Sequence, residues 1–204
     1  MRKIILCTLL LIGSTLSASA QQIEPLYDNP DYAVPNTYYK DLYNDLDPFV
    51  GTWMYTNGNT SLTITLQKKI RASRRNFFED MLIGGYKYVV NGTTVVNTLP
   101  LLNNNYTNPI YYSLHGSCIL GQNSLGCIGC GPETRRLYLS FDEPNRDILM
   151  MGPRMIFERV DEGGVQKVKV VFKTTMTGSR EDPNHEPEFS DYSVPFGTYV
   201  LTRQ

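Results

Sequence analysis

In Ser61-Leu62-Thr63-Ile64-Thr65-Leu66-Gln67 the apolar residues occupy every second position. That is the period of a strand with one buried and one polar face. The same pattern, separated by short turn signals, recurs to the end of the chain. Asn57-Gly58 follows MYT, and Asn91-Gly92 separates YKYVV from TTVVNTL. Asn-Gly between strand-like runs marks a hairpin, because both residues tolerate positive φ. Glu143-Pro144-Asn145 divides RRLYLSFD from RDILMM, and Asp161-Glu162-Gly163-Gly164 divides MIFERV from VQKVKVVFKTT. Connections this short join antiparallel neighbours. The pattern predicts strands at 49–56, 60–73, 77–90, 93–99, 109–120 (the faintest), 134–142, 147–159, 165–176 and 195–203. No segment after residue 48 carries helical periodicity.

Residues 21–48 read differently. Pro25, Pro30, Pro35 and Pro48 interrupt either period, and Tyr27, Tyr32, Tyr38, Tyr39 and Tyr43 punctuate the stretch. This predicts an extended leader that packs aromatics on the domain surface; a strap over a barrel mouth is the alternative. Tyr39, Leu42, Tyr43 and Leu46 fit one helical face, so a short helix or turn is expected within 38–46.

Eight or nine sequential antiparallel strands with one buried face must cover their edges or close on themselves. The expected fold is therefore all-β: an antiparallel up-and-down, lipocalin-like barrel over residues 49–204. A two-sheet β-sandwich is the alternative, though sandwiches need longer crossovers than most of those present.

The first 20 residues, MRKIILCTLLLIGSTLSASA, predict an export signal. Arg2 and Lys3 precede an apolar run from Ile4 to Ile12, and Ala18-Ser19-Ala20 is a small-residue cleavage pattern. Cleavage near Ala20/Gln21 is expected to release a soluble periplasmic or secreted protein. Cys7 lies inside the apolar run and not at the cleavage point, which disfavours a lipid anchor. The released chain would carry 17 basic and 20 acidic residues, a net charge of −3. Without a basic stripe to neutralise phosphates, nucleic acid is not an expected partner.

At Phe49-Val50-Gly51-Thr52-Trp53 the only tryptophan opens the first regular strand, and the chain ends Gly197-Thr198-Tyr199-Val200-Leu201-Thr202-Arg203 before Gln204. Over about residues 45–204 the chain resembles the calycins, the lipocalin and fatty-acid-binding-protein superfamily. Their first strand opens with Gly-x-Trp, and a basic residue of the last strand packs across the indole. The resemblance implies a barrel closed at one end by Gly51, Trp53 and Arg203, and an interior that can hold a small ligand. The chain lacks a clear helix before its last strand. It is also similar to exported proteins of Gram-negative bacteria sharing the opening FVGTW-YTNGNT-LTI, a likeness that brings no activity. Physically, an indole is a large plug and a guanidinium on its face adds cation–π attraction. Trp53 and Arg203 are accordingly read as structural.

Three cysteines follow the signal: Cys118, Cys127 and Cys130. In an oxidising compartment one disulfide is expected, with Cys118 paired to Cys127 or Cys130 and one thiol left over. His115, Cys118, Cys127 and Cys130 form a weaker zinc alternative. Cys127-x-x-Cys130 as a redox pair is disfavoured by its surrounding helix breakers. The acidic loop 178–191, with His185, reads as solvated rather than as a calcium site. Arg71, Arg74 and Arg75 form a basic cluster at a strand end, a device that discourages edge pairing. His115 and His185 are the only imidazole bases available, and no nucleophile elbow, metalloprotease or phosphate-loop motif appears. No cofactor is expected. The first functional reading is an exported, non-enzymatic barrel binding a small, mostly apolar ligand among Leu62, Ile64, Leu66, Leu137, Leu139, Phe141, Val168, Val170 and Phe172. The alternative is a surface interaction or adhesion module. It would use the leader and the connections 100–133 and 177–194 over a filled core.

Overall fold

The structure is a computed structural model that describes residues 21–27, 33–122, 127, 130–146, 148, 152–174 and 188–204. The expected signal, His185 and most of the acidic loop lie outside the described residues. Eleven strands are present: β1 (Ile23–Pro25), β2 (Tyr38–Lys40), β3 (Gly51–Asn57), β4 (Thr60–Ser73), β5 (Phe78–Val90), β6 (Thr93–Asn97), β7 (Leu114–Leu120), β8 (Arg136–Phe141), β9 (Pro153–Arg159), β10 (Lys167–Thr174) and β11 (Gly197–Arg203).

Eight of them close an up-and-down antiparallel barrel in the order β5-β4-β3-β11-β10-β9-β8-β7, with β7 returning to β5. Closure settles the barrel against the sandwich. β1, β2 and β6 lie off the ring. β5 is the hub: one edge pairs with β4 along nearly its whole length. Its other contacts are with β2 at Phe78 and Glu79, with β7 from Leu82 to Gly84, and with β6 from Lys87 to Val90.

Two hairpins show how local chemistry sets register. Asn91 (φ +52°) and Gly92 (φ +77°) form the two-residue β5–β6 loop, both left-handed as expected. At the β3–β4 turn Asn57 instead pairs with Thr60, so the loop is Gly58-Asn59. Only Gly58 is left-handed there, the pattern of a turn that needs glycine first. The faint strand expected at 109–120 is a 3₁₀ turn, Pro109–Tyr111, followed by β7.

The leader departs from expectation. It contributes two parallel strands: β1 on β2, and β2 on β5. No helix forms within 38–46. Tyr38 and Tyr39 are drawn into β2, and the Asp41 carboxylate accepts from the amides of Asp45 and Leu46, holding a turn. The leader does more than coat the surface, because Leu26, Tyr39 and Leu46 belong to the main hydrophobic cluster. All nine side chains expected to face inward are buried in that same cluster, together with Trp53, Tyr86, Phe157 and Leu201.

Candidate functional site

Trp53 is fully buried, and its indole N–H donates to the Phe49 carbonyl at 2.8 Å. The Arg203 guanidinium lies 5.6 Å from its ring centroid. A second guanidinium, Arg159, lies at 5.3 Å and also donates to the Pro48 carbonyl. The expected trio of Gly51, Trp53 and Arg203 is thus brought together, with Arg159 as a fourth member. Arg159 ends β9 as Arg203 ends β11. Its position at the end of MIFER was the available signal.

The leader is fastened beside this plug by buried carboxylates. In β4 a bulge between Lys69 and Ala72 leaves Arg71 at φ +52°. The freed Arg71 amide donates to Asp80 at 2.9 Å. Asp80 also accepts from the Tyr38 hydroxyl at 2.6 Å and the Asp41 amide at 3.1 Å. Burial first, and then this bond to Asp80, pushes the Tyr38 phenol pKa up. Lys68 donates to Asp41 at 2.8 Å and to Asp47 at 2.6 Å. Burial alone would lower the Lys68 pKa, but the two carboxylates outweigh it and the net shift is upward. Glu79 is buried too, accepting from Ser117 at 2.6 Å and pairing with Arg74 at 3.0 Å.

Two clefts open around this end. The larger, about 1080 Å³, is walled by the turn Ser73–Phe77, by Thr107, Asn108 and Ile110, and by Ala33 of the leader. The smaller, about 400 Å³, lies between the leader (Tyr43, Asp45, Pro48) and the strand ends and loop that supply Arg135 and Arg159. There burial raises the Asp45 carboxyl pKa against the pull of Arg135, which lies 3.5 Å away. Each cleft therefore joins the leader to segments distant in sequence, Thr107–Ile110 in the larger and Glu133–Arg135 with the end of β9 in the smaller.

The barrel interior away from the plug is aromatic. The Phe141 ring lies 4.9 Å from Tyr86, 4.5 Å from Phe172 and 5.4 Å from Tyr192, centroid to centroid. The Tyr86 hydroxyl is buried with no hydrogen-bond partner among the described residues. Burial, then the nearby charges of Glu143 and Asp142, raise its pKa.

The cysteines correct the expected pairing. Cys127 and Cys130 form the disulfide, their Cα atoms 5.6 Å apart, and Cys118 is free. Cys118 is held within β7 opposite Tyr138 of β8, whereas the other two meet inside the β7–β8 connection. A disulfide sulfur is not a thiolate, so the four-ligand zinc alternative loses two of its donors. Among the described residues no cluster of His, Cys, Asp and Glu has metal-binding geometry. Cys118 is exposed at its surface, yet partial desolvation by its neighbours, and then the Glu79 charge, push its thiol pKa up, which lowers its reactivity. His115 lies with Nδ1 3.1 Å from the Tyr112 carbonyl and lines neither cleft. Burial lowers its pKa against the raising effect of the Tyr112 carbonyl; the cations of Arg74 and Arg154 add to the lowering, and Asp142 opposes it. No helix among the described residues is long and apolar enough to cross a membrane.

No curated protein and no solved structure matches the chain. A family model matches residues 1–204, and the chain accordingly belongs to the family described as "Family of unknown function (DUF6705)".

Proposed function

We propose that this protein is an exported, non-enzymatic binding module that recognises its target at the leader-bearing end of a filled barrel. One observation carries the reading: both clefts set a leader wall against segments distant in sequence, Thr107–Ile110 in one and Glu133–Arg135 with the end of β9 in the other. The first 20 residues have the order of an export signal, and the Cys127–Cys130 disulfide suits an oxidising compartment.

A second reading, a small and mostly apolar ligand inside the barrel, has its own observation. The buried, unpartnered Tyr86 hydroxyl amid aromatic rings would welcome a ligand acceptor. The likeness to calycins favours that reading as well. Native mass spectrometry of protein purified from its own host separates the two. On the first reading, Thr107→Trp, which fills the larger cleft, removes the retained molecule, and Tyr86→Phe leaves it. The reverse pattern would move the site into the barrel.

A further inference from the structure

We infer that the larger cleft binds an anionic sugar, with Arg75 as its anchoring cation. This rests on the proposed use of the leader-bearing end. Among the described residues the cleft is lined by two guanidiniums, those of Arg74 and Arg75, and by no carboxylate, in a chain whose net charge is −1. Arg74 is already paired with the buried Glu79 at 3.0 Å. Arg75 is exposed and has no ion pair or hydrogen bond among the described residues, so its charge is open to a ligand. A guanidinium presents a planar fork of donors that matches carboxylate and phosphate oxygens.

The remaining lining identifies what carries the anion. Asn76, Asn108, Ser73 and Thr107 bring amides and hydroxyls, which both donate and accept as sugar hydroxyls require. The Asn108 side-chain Oδ1 accepts from the Ile110 amide at 3.2 Å, which leaves the side-chain NH₂ as a donor. Phe77 and the half-exposed Ile110 add apolar surface for the C–H face of a sugar ring.

A peptide strand would instead need free main-chain groups. Several of those at the turn are taken. The Asn76 carbonyl accepts from the Asn36 amide at 2.7 Å, and the Phe77 carbonyl accepts from the Arg74 amide at 2.9 Å. The Phe78 amide donates to Thr37 at 2.9 Å. The volume, about 1080 Å³, lies at the upper end for ligand sites and leaves room for more than one sugar unit.

The test is calorimetric titration of the protein purified from its own host with trigalacturonate, glucose 6-phosphate, a neutral trisaccharide and pentaglutamate. Binding of trigalacturonate or glucose 6-phosphate, weakening as salt is added, is expected. The better of the two tells carboxylate from phosphate. Arg75→Gln should weaken binding about tenfold, and Arg75→Lys should restore part of it. Neither should change the melting temperature, since Arg75 holds no partner. Equal binding of the neutral trisaccharide, tighter binding of pentaglutamate, no binding of either anionic sugar, or an unchanged affinity in Arg75→Gln would each overturn the assignment. If Thr107→Trp removes the host-retained molecule while Arg75→Gln does not, the anionic-sugar assignment fails and the proposed use of the cleft stands. If neither variant alters retention, both fail.

Discussion

The guanidinium of Arg203 occupies the space that a side chain at position 51 would need. A Cβ built on Gly51 would lie 3.3 Å from both Nε and Nη2 of Arg203, and Gly51 itself sits at φ +130°. Glycine is thus required twice, for backbone conformation and for the approach of the cation to Trp53. Gly51→Ala should cost about 1–3 kcal/mol, and Trp53→Ala about 3–5 kcal/mol from the cavity it opens. Denaturant unfolding checks both. Because Trp53 is the sole tryptophan, its fluorescence reports directly on Gly51→Ala. A Trp53→Ala protein as stable as wild type but unable to bind would reverse the structural role assigned here.

Deleting residues 21–45 should unfold or severely weaken the domain. Read as a surface segment, the leader could be removed with little change in melting temperature. The burial of Leu26, Tyr38 and Tyr39 says otherwise. Each such side chain contributes roughly 1.5–3 kcal/mol, so the melting temperature should fall by at least about 10 °C. A gentler probe is Asp80→Asn, which weakens the hydrogen bonds to Tyr38, Asp41 and Arg71. It should cost about 1–3 kcal/mol and speed proteolysis within the leader.

His115 predicts a pH dependence. Burial holds its folded pKa below the ordinary 6.5. Between the lowered value and 6.5 the unfolded chain binds the proton and the folded chain does not. Stability contributed by the neutral ring is therefore full above 6.5 and is lost as pH falls through that window. Between about pH 7.5 and about pH 5 the wild type should lose more melting temperature than His115→Gln. Equal losses would show that His115 is not linked to folding.

The cysteines give a chemical count. In protein beginning at Gln21, without reductant a thiol reagent should find Cys118 alone, and slowly, because its pKa is raised. After reduction all three should react. The Cys127–Cys130 ring spans a sequence separation of 3, so the chain-entropy gain is only about 2 kcal/mol. Cys127→Ser with Cys130→Ser should lower stability by no more than that.

The barrel strands were legible because alternation and turn residues agree locally, and Ser61–Gln67 is the clearest instance. The nine inward side chains follow from period alone. The strands of the leader were not legible. β1 and β2 are three residues each, too short to show a period, and they exist only because β5 presents an edge. Nor could the Asp80 latch be read, since its partners lie 42, 39 and 9 residues away. Among the candidate-site residues, Arg75 was visible as one of a basic cluster. Thr107 and Asn108, which turn that cluster into a cleft, come from an irregular segment with no period to place it.

The join between β3 and β11 has only two register pairs, Met54 with Thr202 and Trp53 with Arg203. They bring together parts of the chain roughly 150 residues apart, so this is the contact with the greatest loop-closure entropy. Every other step around the barrel can form between nearer neighbours, and this one has to wait for them. Hydrogen exchange should find the amides of this seam among the least protected in the barrel wall. The indole and its two guanidiniums then act as a clasp, set at the place where the folded ring would otherwise open first.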